Sequence, residues 1–428
     1  MKIIGIIVEY NPLHNGHVQH LQKSRQLCGF AEDSDAVVAV ISGNFVQRGE
    51  PAICDKWLRT KMALLAGVDL VLELPLFYAT ASAEIFAKGA TTILDACGLV
   101  DNICFGSELA DISALTQYAK ISLLEVAENL GEKSAEILGE NFCGKSEENF
   151  SAKKNPDNFA EVIKSYLHKG FSYPVAKTKT IEKFLAADFP VAPNNVLGVE
   201  YVKSLLQLNS GVVPLTVPRS AGSAKILRDC LKNHENHENH ENISIAEKMP
   251  LFAWNLLNDS INNYGLARLD NLSQILHYIL QTSPPKHLAE ILDISEGLEN
   301  RLIECATQNF LISEIIAAAK TKRYSYLRLQ RAILHIILGI KKGYTPPQYI
   351  RVLGFNSEKA YLLGLLQKRA KLPVVLNLPN AAKSHKLGNF SQQANKMLQA
   401  EITASKVYGL SFDKNRWINE FAFALVKK

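Results

Sequence analysis

The stretch "GIIVEYNPLHNGHVQHL" (5–21) closes an apolar run at Asn11-Pro12 and reopens with His14, His17 and His20 at three-residue spacing. Three imidazoles so placed can be buried structural groups, metal ligands or the phosphate-handling end of a nucleotide site. A metal site is the least supported, since no carboxylate or cysteine partner lies at ligand spacing. The nucleotide reading has a mechanism. A helix opening near Leu13, after the turn, presents unpaired N–H groups and a partial positive charge, which attract an anion. His14 and His17 share one face of that helix, and Gly16 between them leaves room for a nucleobase against the backbone. Such groups would stabilise charge on an α-phosphate and on leaving pyrophosphate during in-line attack, a task of positioning and electrostatics.

Those residues need a scaffold, and five β-branched runs supply one: "KIIGIIVE" (2–9), "DAVVAVIS" (35–42), "DLVLEL" (69–74), "DNICFG" (101–106) and "VVPLTV" (212–217). Nearly continuous apolar strands are covered on both faces, as in parallel sheets. Helix-patterned segments such as 56–67 and 82–97 separate them, so the pattern predicts a Rossmann-like, doubly wound α/β domain. Its ligands bind beyond the carboxyl ends of the strands, which points to the loops after residues 9, 42, 74, 106 and 217. A polar stretch (144–159) reads as a surface connection. "NHENHENHEN" (233–242) is either a metal-binding histidine tract or a repeat expanded in a tolerant loop, and the second reading makes it a linker over 233–247. From 248 onward apolar residues recur at three- and four-residue spacing, as in "YSYLRLQRAILHIILGI". That periodicity predicts an all-helical second domain over 248–428, following a nucleotide-binding domain over 1–232.

Charge separates the two parts. Residues 321–428 carry 19 Lys+Arg against 4 Asp+Glu, a net of +15, whereas the preceding 320 residues have a net of −10. This asymmetry reads as a polyanion-binding surface in the last quarter. The seven cysteines are scattered and form no C-x-x-C pair, which argues against a disulfide framework or a zinc site. No apolar stretch is long enough to span a bilayer, and the N-terminus lacks a signal-peptide pattern. The expectation is a cytoplasmic protein with no membrane partner and no obligate protein partner.

The H-x-G-H string after a first strand resembles the signature of the HIGH-motif nucleotidyltransferase superfamily. Longer strings narrow the resemblance: "IIVEYNPLHNGH" (6–17), "SGNFVQRGEPA" (42–52), "FGSE" (105–108), "PNNVLGVEYVKSL" (193–205) and "TKRYSYLRLQRAILH" (321–335) are similar to the bacterial tRNA(Met) cytidine acetate ligase family. That resemblance implies an enzyme using ATP and acetate to acetylate N4 of the wobble cytidine of elongator tRNA(Met) through an acetyl-adenylate, releasing AMP and pyrophosphate. It implies His14 and His17 as catalytic residues. It implies ATP contacts at Ile7, Val8, Glu9, Tyr10, Asn11, Pro12, Asn15, Gly16, His20, Gly106, Asn194, Asn195 and Arg219. For the asparagines, a helix cap after Pro193 is an equal alternative.

The remaining assignments combine resemblance and local chemistry. Within the late strand-end loops, "SGNFVQRG", from Ser42 on, is a possible acetate or cytosine loop, in which Gly43 permits close approach and Asn44, Gln47 and Arg48 offer donors for acetate, phosphates or cytosine. Arg48 can equally pair with Glu50. In "TVPRSAGSAKILRDCL", Ser223 would cap a late helix whose Arg228 reaches the phosphates. In "KRYSYLRLQR", Lys322, Arg323, Tyr324, Arg328 and Arg331 would form the tRNA surface, with Tyr324, Arg328 and Arg331 on one helix face to hold phosphates and stack a base. Magnesium is expected only as the companion of ATP, with no protein metal site. Two other functions fit part of the pattern: a small-molecule adenylyltransferase, and an RNA-binding or ribosome-associated factor that senses nucleotide.

Overall fold

The computed structural model describes residues 1–31, 34–130, 159–171, 173–185, 192–219, 224–233, 245–343, 345–379, 381 and 390–428. The polar stretch over 144–158 and residues 234–244 of the His-Glu-Asn repeat and its linker lie outside them, whereas the end of the linker assigned to 233–247 enters a short helix, Ile245–Lys248.

All five expected strands form. They are β1 (Ile3–Val8), β2 (Ala36–Ser42), β5 (Leu70–Leu74), β6 (Asn102–Ser107) and β7 (Val213–Pro218), with a short hairpin of β3 (Phe45–Val46) and β4 (Glu50–Pro51) after β2. They pair in parallel in the order β5-β2-β1-β6-β7. Every residue of β2 is buried, as expected where both faces of a central strand are covered. One face carries the Ala83–Ala96 and Pro193–Gln207 helices. The other carries α1 (Asn15–Leu27), α2 (Lys56–Leu65) and the Leu251–Tyr264 helix. Because chain order reverses between β2, β1 and β6, the carboxyl end of β1 opens the crevice in which such sheets bind ligands.

The expected all-helical domain over 248–428 needs correction. β8 (Ile350–Phe355) inserts antiparallel beside β5, and β9 (Val374–Val375) and β10 (Val426–Lys427) pair parallel to β8. β8 is buried along its whole length, so its apolar residues complete a shared core rather than a helix stripe. A buried ionic cluster reinforces the junction. Lys56 on α2 lies 2.6 Å from Glu73 and 2.8 Å from Glu420, and Arg351 on β8 lies 3.0 Å from Glu73 and 2.6 Å from Glu420. Phe45, fully buried, leaves the hairpin to join the core of the helical part, edge-on to Tyr408 at 5.8 Å.

Part of the charge asymmetry is met by ion pairs, in which seven of the nineteen basic residues over 321–428 meet carboxylates of the preceding part. Arg323, Arg331 and Lys341 pair with Glu296, Asp293 and Glu290. Arg351, Lys359, Lys371 and Arg416 pair with Glu73, Asp69, Asp95 and Asp55. The acidic first part and the basic last quarter are therefore partners in one fold. No helix among the described residues is long and apolar enough to cross a membrane.

Candidate active site

β1 delivers the chain to the crevice, and a turn containing Tyr10 (φ 48°) and a cis Asn11-Pro12 bond redirects it. Leu13 is fully buried, and α1 starts at Asn15 with His14 as an extended N-cap (φ −136°, ψ 169°). The helix thus begins two residues later than its sequence pattern implied. The His14 and His17 rings stack with centroids 3.7 Å apart, and Tyr10 packs on His17 at 4.9 Å. The His14 backbone N–H donates to His17 Nδ1 at 3.2 Å. A neutral His17 therefore carries its proton on Nε2 and presents a donor. Gly16 serves the motif itself, because a Cβ there would lie 2.8 Å from His14 Cε1. The room expected for a nucleobase is the room His14 occupies.

These groups open into a cavity of about 630 Å³. Burial, with Arg219 and Arg228 nearby, holds the His14 imidazolium pKa down to about 4. Burial, with Lys23, does the same to His20, also to about 4. His17 is pushed well below its ordinary value by burial and by the two neighbouring histidines. At neutral pH the site holds three uncharged imidazoles, whose N–H groups can donate to phosphate without the cost of burying a cation. His20 Nε2 is buried without a hydrogen-bond partner among the described residues. It lies beside Gly106, where a Cβ would stand 3.7 Å from the His20 ring and 3.9 Å from Arg219 Cα. A buried orphan polar atom beside an open backbone marks a place for a polar ligand atom.

Of the expected ATP contacts, Ile7, Val8, Glu9, His14, Gly16, His17, His20, Gly106, Asn194 and Arg219 line the cavity. Tyr10, Asn11, Pro12, Asn15 and Asn195 do not. Asn11 Oδ1 accepts from Ile53 N–H at 2.8 Å, Asn15 donates to the Glu247 carbonyl at 2.8 Å, and Asn195 Oδ1 accepts from Leu109 N–H at 2.9 Å. Their polar groups hold the walls. Asn194 and Arg219 share Glu108: Asn194 Nδ2 donates at 2.7 Å and Arg219 at 3.0 Å. Arg219 remains substantially exposed there.

The loop after β2 divides in the same way. Gln47 and exposed Arg48 face the cavity. Ser42 and Gly43 offer their carbonyls to the buried guanidinium of Arg59. Asn44 donates to Ser405 and accepts from Lys56 N–H, both at 2.9 Å. These three are scaffold, contrary to expectation. Glu50 pairs with Arg228 at 3.4 Å, and Arg48 has no ion pair among the described residues. Arg228, expected at the phosphates, is a buried strut whose guanidinium donates to the Asn11 carbonyl at 2.6 Å. Ser223 lies outside the described residues.

The expected tRNA face changes most. The helix spans Tyr326–Leu338, with Ser325 as its N-cap, so Tyr324 precedes it. Tyr324 is buried, and its hydroxyl donates to the Glu296 carbonyl at 2.9 Å. Arg328 sits over that ring at 5.3 Å and donates to Ser295. Tyr324 therefore offers no open face to a base. Lys322 and Arg323 remain exposed. Arg331, held by Asp293 at 3.0 Å, turns instead toward the nucleotide cavity together with Leu327. Sequence reasoning missed this wall, and it also missed Phe86, Phe105 and Tyr201. An apolar or aromatic residue at a strand end or on a helix face carries no sequence mark that separates a cavity wall from core.

A parallel sheet in this strand order, with a histidine pair at the first helix N-terminus beside an open nucleotide-sized cavity, defines a nucleotidyl transferase of the HIGH type. The chain matches the HIGH Nucleotidyl Transferase family over residues 1–143 and 145–420. Its curated relatives narrow the class. It is 37% identical to a tRNA(Met) cytidine acetate ligase of Caldicellulosiruptor saccharolyticus, with 96% of this chain and 94% of that protein covered. It is 34% identical to that of Acetivibrio thermocellus, over 96% and 95%. The chain belongs to the tRNA(Met) cytidine acetate ligase family. A crystal structure of Thermotoga maritima TmcAL bound with alpha-thio ATP superimposes with a TM-score of 0.85 at 30% identity, covering 100% of this chain and 99% of that one.

Proposed function

We propose that this protein is an ATP-dependent ligase that activates acetate as acetyl-AMP and transfers the acetyl group to N4 of the wobble cytidine of elongator tRNA(Met). AMP and pyrophosphate leave. The observation that carries the reading is the cavity itself, where three neutral imidazoles and an orphan His20 Nε2 face an open glycine on the next strand. The solved relative with alpha-thio ATP and the names of the curated relatives support the choice of substrates.

The adenosine would lie against Gly106, between His20 and Arg219, with Asn194 at its edge. The α-phosphate would stand above the start of α1, within reach of His17 Nε2–H and His14. An acetate oxygen attacks the α-phosphorus while pyrophosphate leaves in line. The negative charge gathering on the phosphate oxygens meets N–H donors already fixed in place, so little reorganisation opposes the step. Arg219 supplies positive charge from the rim and Arg48 from the hairpin. Magnesium would travel with the phosphates of ATP. Among the described residues no three His, Cys, Asp or Glu side chains converge as a metal cage. The tRNA would approach across the helical part, where Lys322 and Arg323 are exposed, and Leu327 and Arg331 connect that part to the cavity.

The test is incubation of the purified protein with ATP, labelled acetate and bulk bacterial tRNA, followed by nucleoside analysis. The reading expects label in N4-acetylcytidine, lost in His14→Ala and His17→Ala. AMP and pyrophosphate without labelled RNA would sink the acceptor assignment. tRNA binding with neither signal would sink the enzyme assignment.

A further inference from the structure

Glu9 is the one carboxylate among the described residues that line the nucleotide cavity. A triphosphate and acetate both repel it, so attraction for these substrates does not explain its place. Its position is nevertheless built. One carboxylate oxygen accepts the Gln47 backbone N–H at 2.8 Å, which ties the side chain to the hairpin after β2. That hairpin packs against the helix bordering the cavity, since a Cβ on Gly49 would stand 2.6 Å from Arg331 N. Gly106 lies on β6, on the other flank of β1 from β2. Glu9 thus leans toward the side of the cavity formed by Gln47, Arg48, Leu327 and Arg331, away from the open glycine.

The second half of the proposed reaction requires a proton acceptor. The N4 lone pair of cytosine is delocalised into its ring, and N4 becomes acidic as it bonds to carbon. The alternatives in the cavity are poor acceptors. His17 already accepts at Nδ1 and carries its proton on Nε2, and His14 and His20 hold protons weakly. Arginines have no acceptor, and the amides of Gln47 and Asn194 are not basic.

Resting on the function proposed above, we infer that Glu9 is the general base of acetyl transfer, taking the N4 proton from the incoming cytidine. The N4 lone pair attacks the carbonyl carbon of acetyl-AMP and an N–C bond forms. The N4 proton passes to the Glu9 carboxylate. The bond from the carbonyl carbon to the phosphate oxygen breaks, its electron pair leaves with AMP, and Glu9 later returns its proton to water. Burial raises the Glu9 pKa, opposed by the Gln47 amide, Arg228 and Arg59 and reinforced by Glu50, so its basicity moves toward that of a useful base.

The test compares full-length wild type, Glu9→Gln and Glu9→Asp in two assays: acetate-dependent exchange of labelled pyrophosphate into ATP, and single-turnover acetyl transfer to tRNA. Glu9→Gln keeps an acceptor for the Gln47 amide, and thermal unfolding checks that it folds. The expected result is a 10²–10³-fold fall in the ratio of transfer to exchange for Glu9→Gln, and loss of the acidic limb of the transfer pH profile. Partial recovery of both is expected for Glu9→Asp. An equal loss of both rates, or a raised KM for ATP with transfer intact at saturating ATP, would overturn the assignment in favour of a nucleotide-positioning role. If wild type shows no acetate-dependent exchange, the function itself fails, separately from the role of Glu9.

Discussion

Replacing Gly16 by alanine tests the histidine pair without touching a functional group. The added Cβ would lie 2.8 Å from His14 Cε1 and 3.0 Å from its Nδ1, closer than carbon and nitrogen tolerate. The backbone of α1 is held by its own hydrogen bonds, so the imidazole yields, leaving its 3.7 Å stack on His17. An off-rotamer side chain costs about 0.5–1.5 kcal/mol, and alanine in a helix recovers roughly 0.5–1 kcal/mol over glycine. The two nearly cancel, so global stability should hardly change. Catalysis should change far more. Misplacing one preorganised donor at a developing oxyanion costs on the order of 10²–10³ in rate, about 2.7–4 kcal/mol. Gly364, in the Tyr361–Arg369 helix with open space where its Cβ would go, is the control. Gly364→Ala should leave exchange unchanged and stabilise modestly. The assays are acetate-dependent pyrophosphate exchange and thermal unfolding. Gly16→Ala with exchange within twofold of wild type would refute the argument that the His14–His17 geometry carries adenylation.

Acidification should destabilise the protein through its buried histidines. For His14, His20 and His335 the folded pKa, about 4, lies below the unfolded value. The unfolded chain therefore binds more protons, and stability falls as pH drops from about 6.5 toward 4. Each group contributes roughly 2 kcal/mol of loss by about pH 5. Urea midpoints at neutral pH and at pH 5 measure this, and a shallower slope is expected for His20→Gln. Phe45→Ala should cost about 3–5 kcal/mol, because the ring leaves a fully buried place between the hairpin and the helical core. A loss below 1 kcal/mol in urea titration would count against that junction. Tyr324→Phe removes the hydroxyl bonded to Glu296 and should cost about 1 kcal/mol of stability. Its tRNA affinity in filter binding should match wild type, and a tenfold loss would show that the hydroxyl contacts the RNA rather than only holding Glu296.

Much of the catalytic scaffold was legible in the sequence because its signals are local. Five nearly continuous apolar runs carry the pattern of parallel-sheet strands, and all five form strands, although β7 at the sheet edge is only partly buried. The H-x-G-H string at a strand-to-helix turn marked the cavity, and "SGNFVQRG" marked a loop whose Gln47 and Arg48 reach it. Residue type, however, states what a side chain can do and not what its neighbours leave it free to do. Asn44, Asn195 and Arg228 have the chemistry of ligand contacts, yet each is consumed by buried backbone groups that had to be satisfied. Tyr324 has the chemistry of a stacking platform and is covered by Arg328.

The sequence by itself determined the α/β class, the strand order of the parallel sheet's five members along the chain, and the place of the histidine motif. Those depend on periodicity and on residues within a few positions of one another. Only the tertiary structure decided where the last quarter goes. β8 reads as one short apolar run among helices, and it becomes a strand because the open edge of β5 is there to pair with it. The same long-range packing paired seven of the nineteen basic residues of the last quarter with carboxylates of the acidic first part. It carried Arg331 from the expected tRNA face to the cavity wall, and left Glu9 the one carboxylate lining the cavity among the described residues. Pairings between residues hundreds of positions apart are set by geometry that no local pattern encodes.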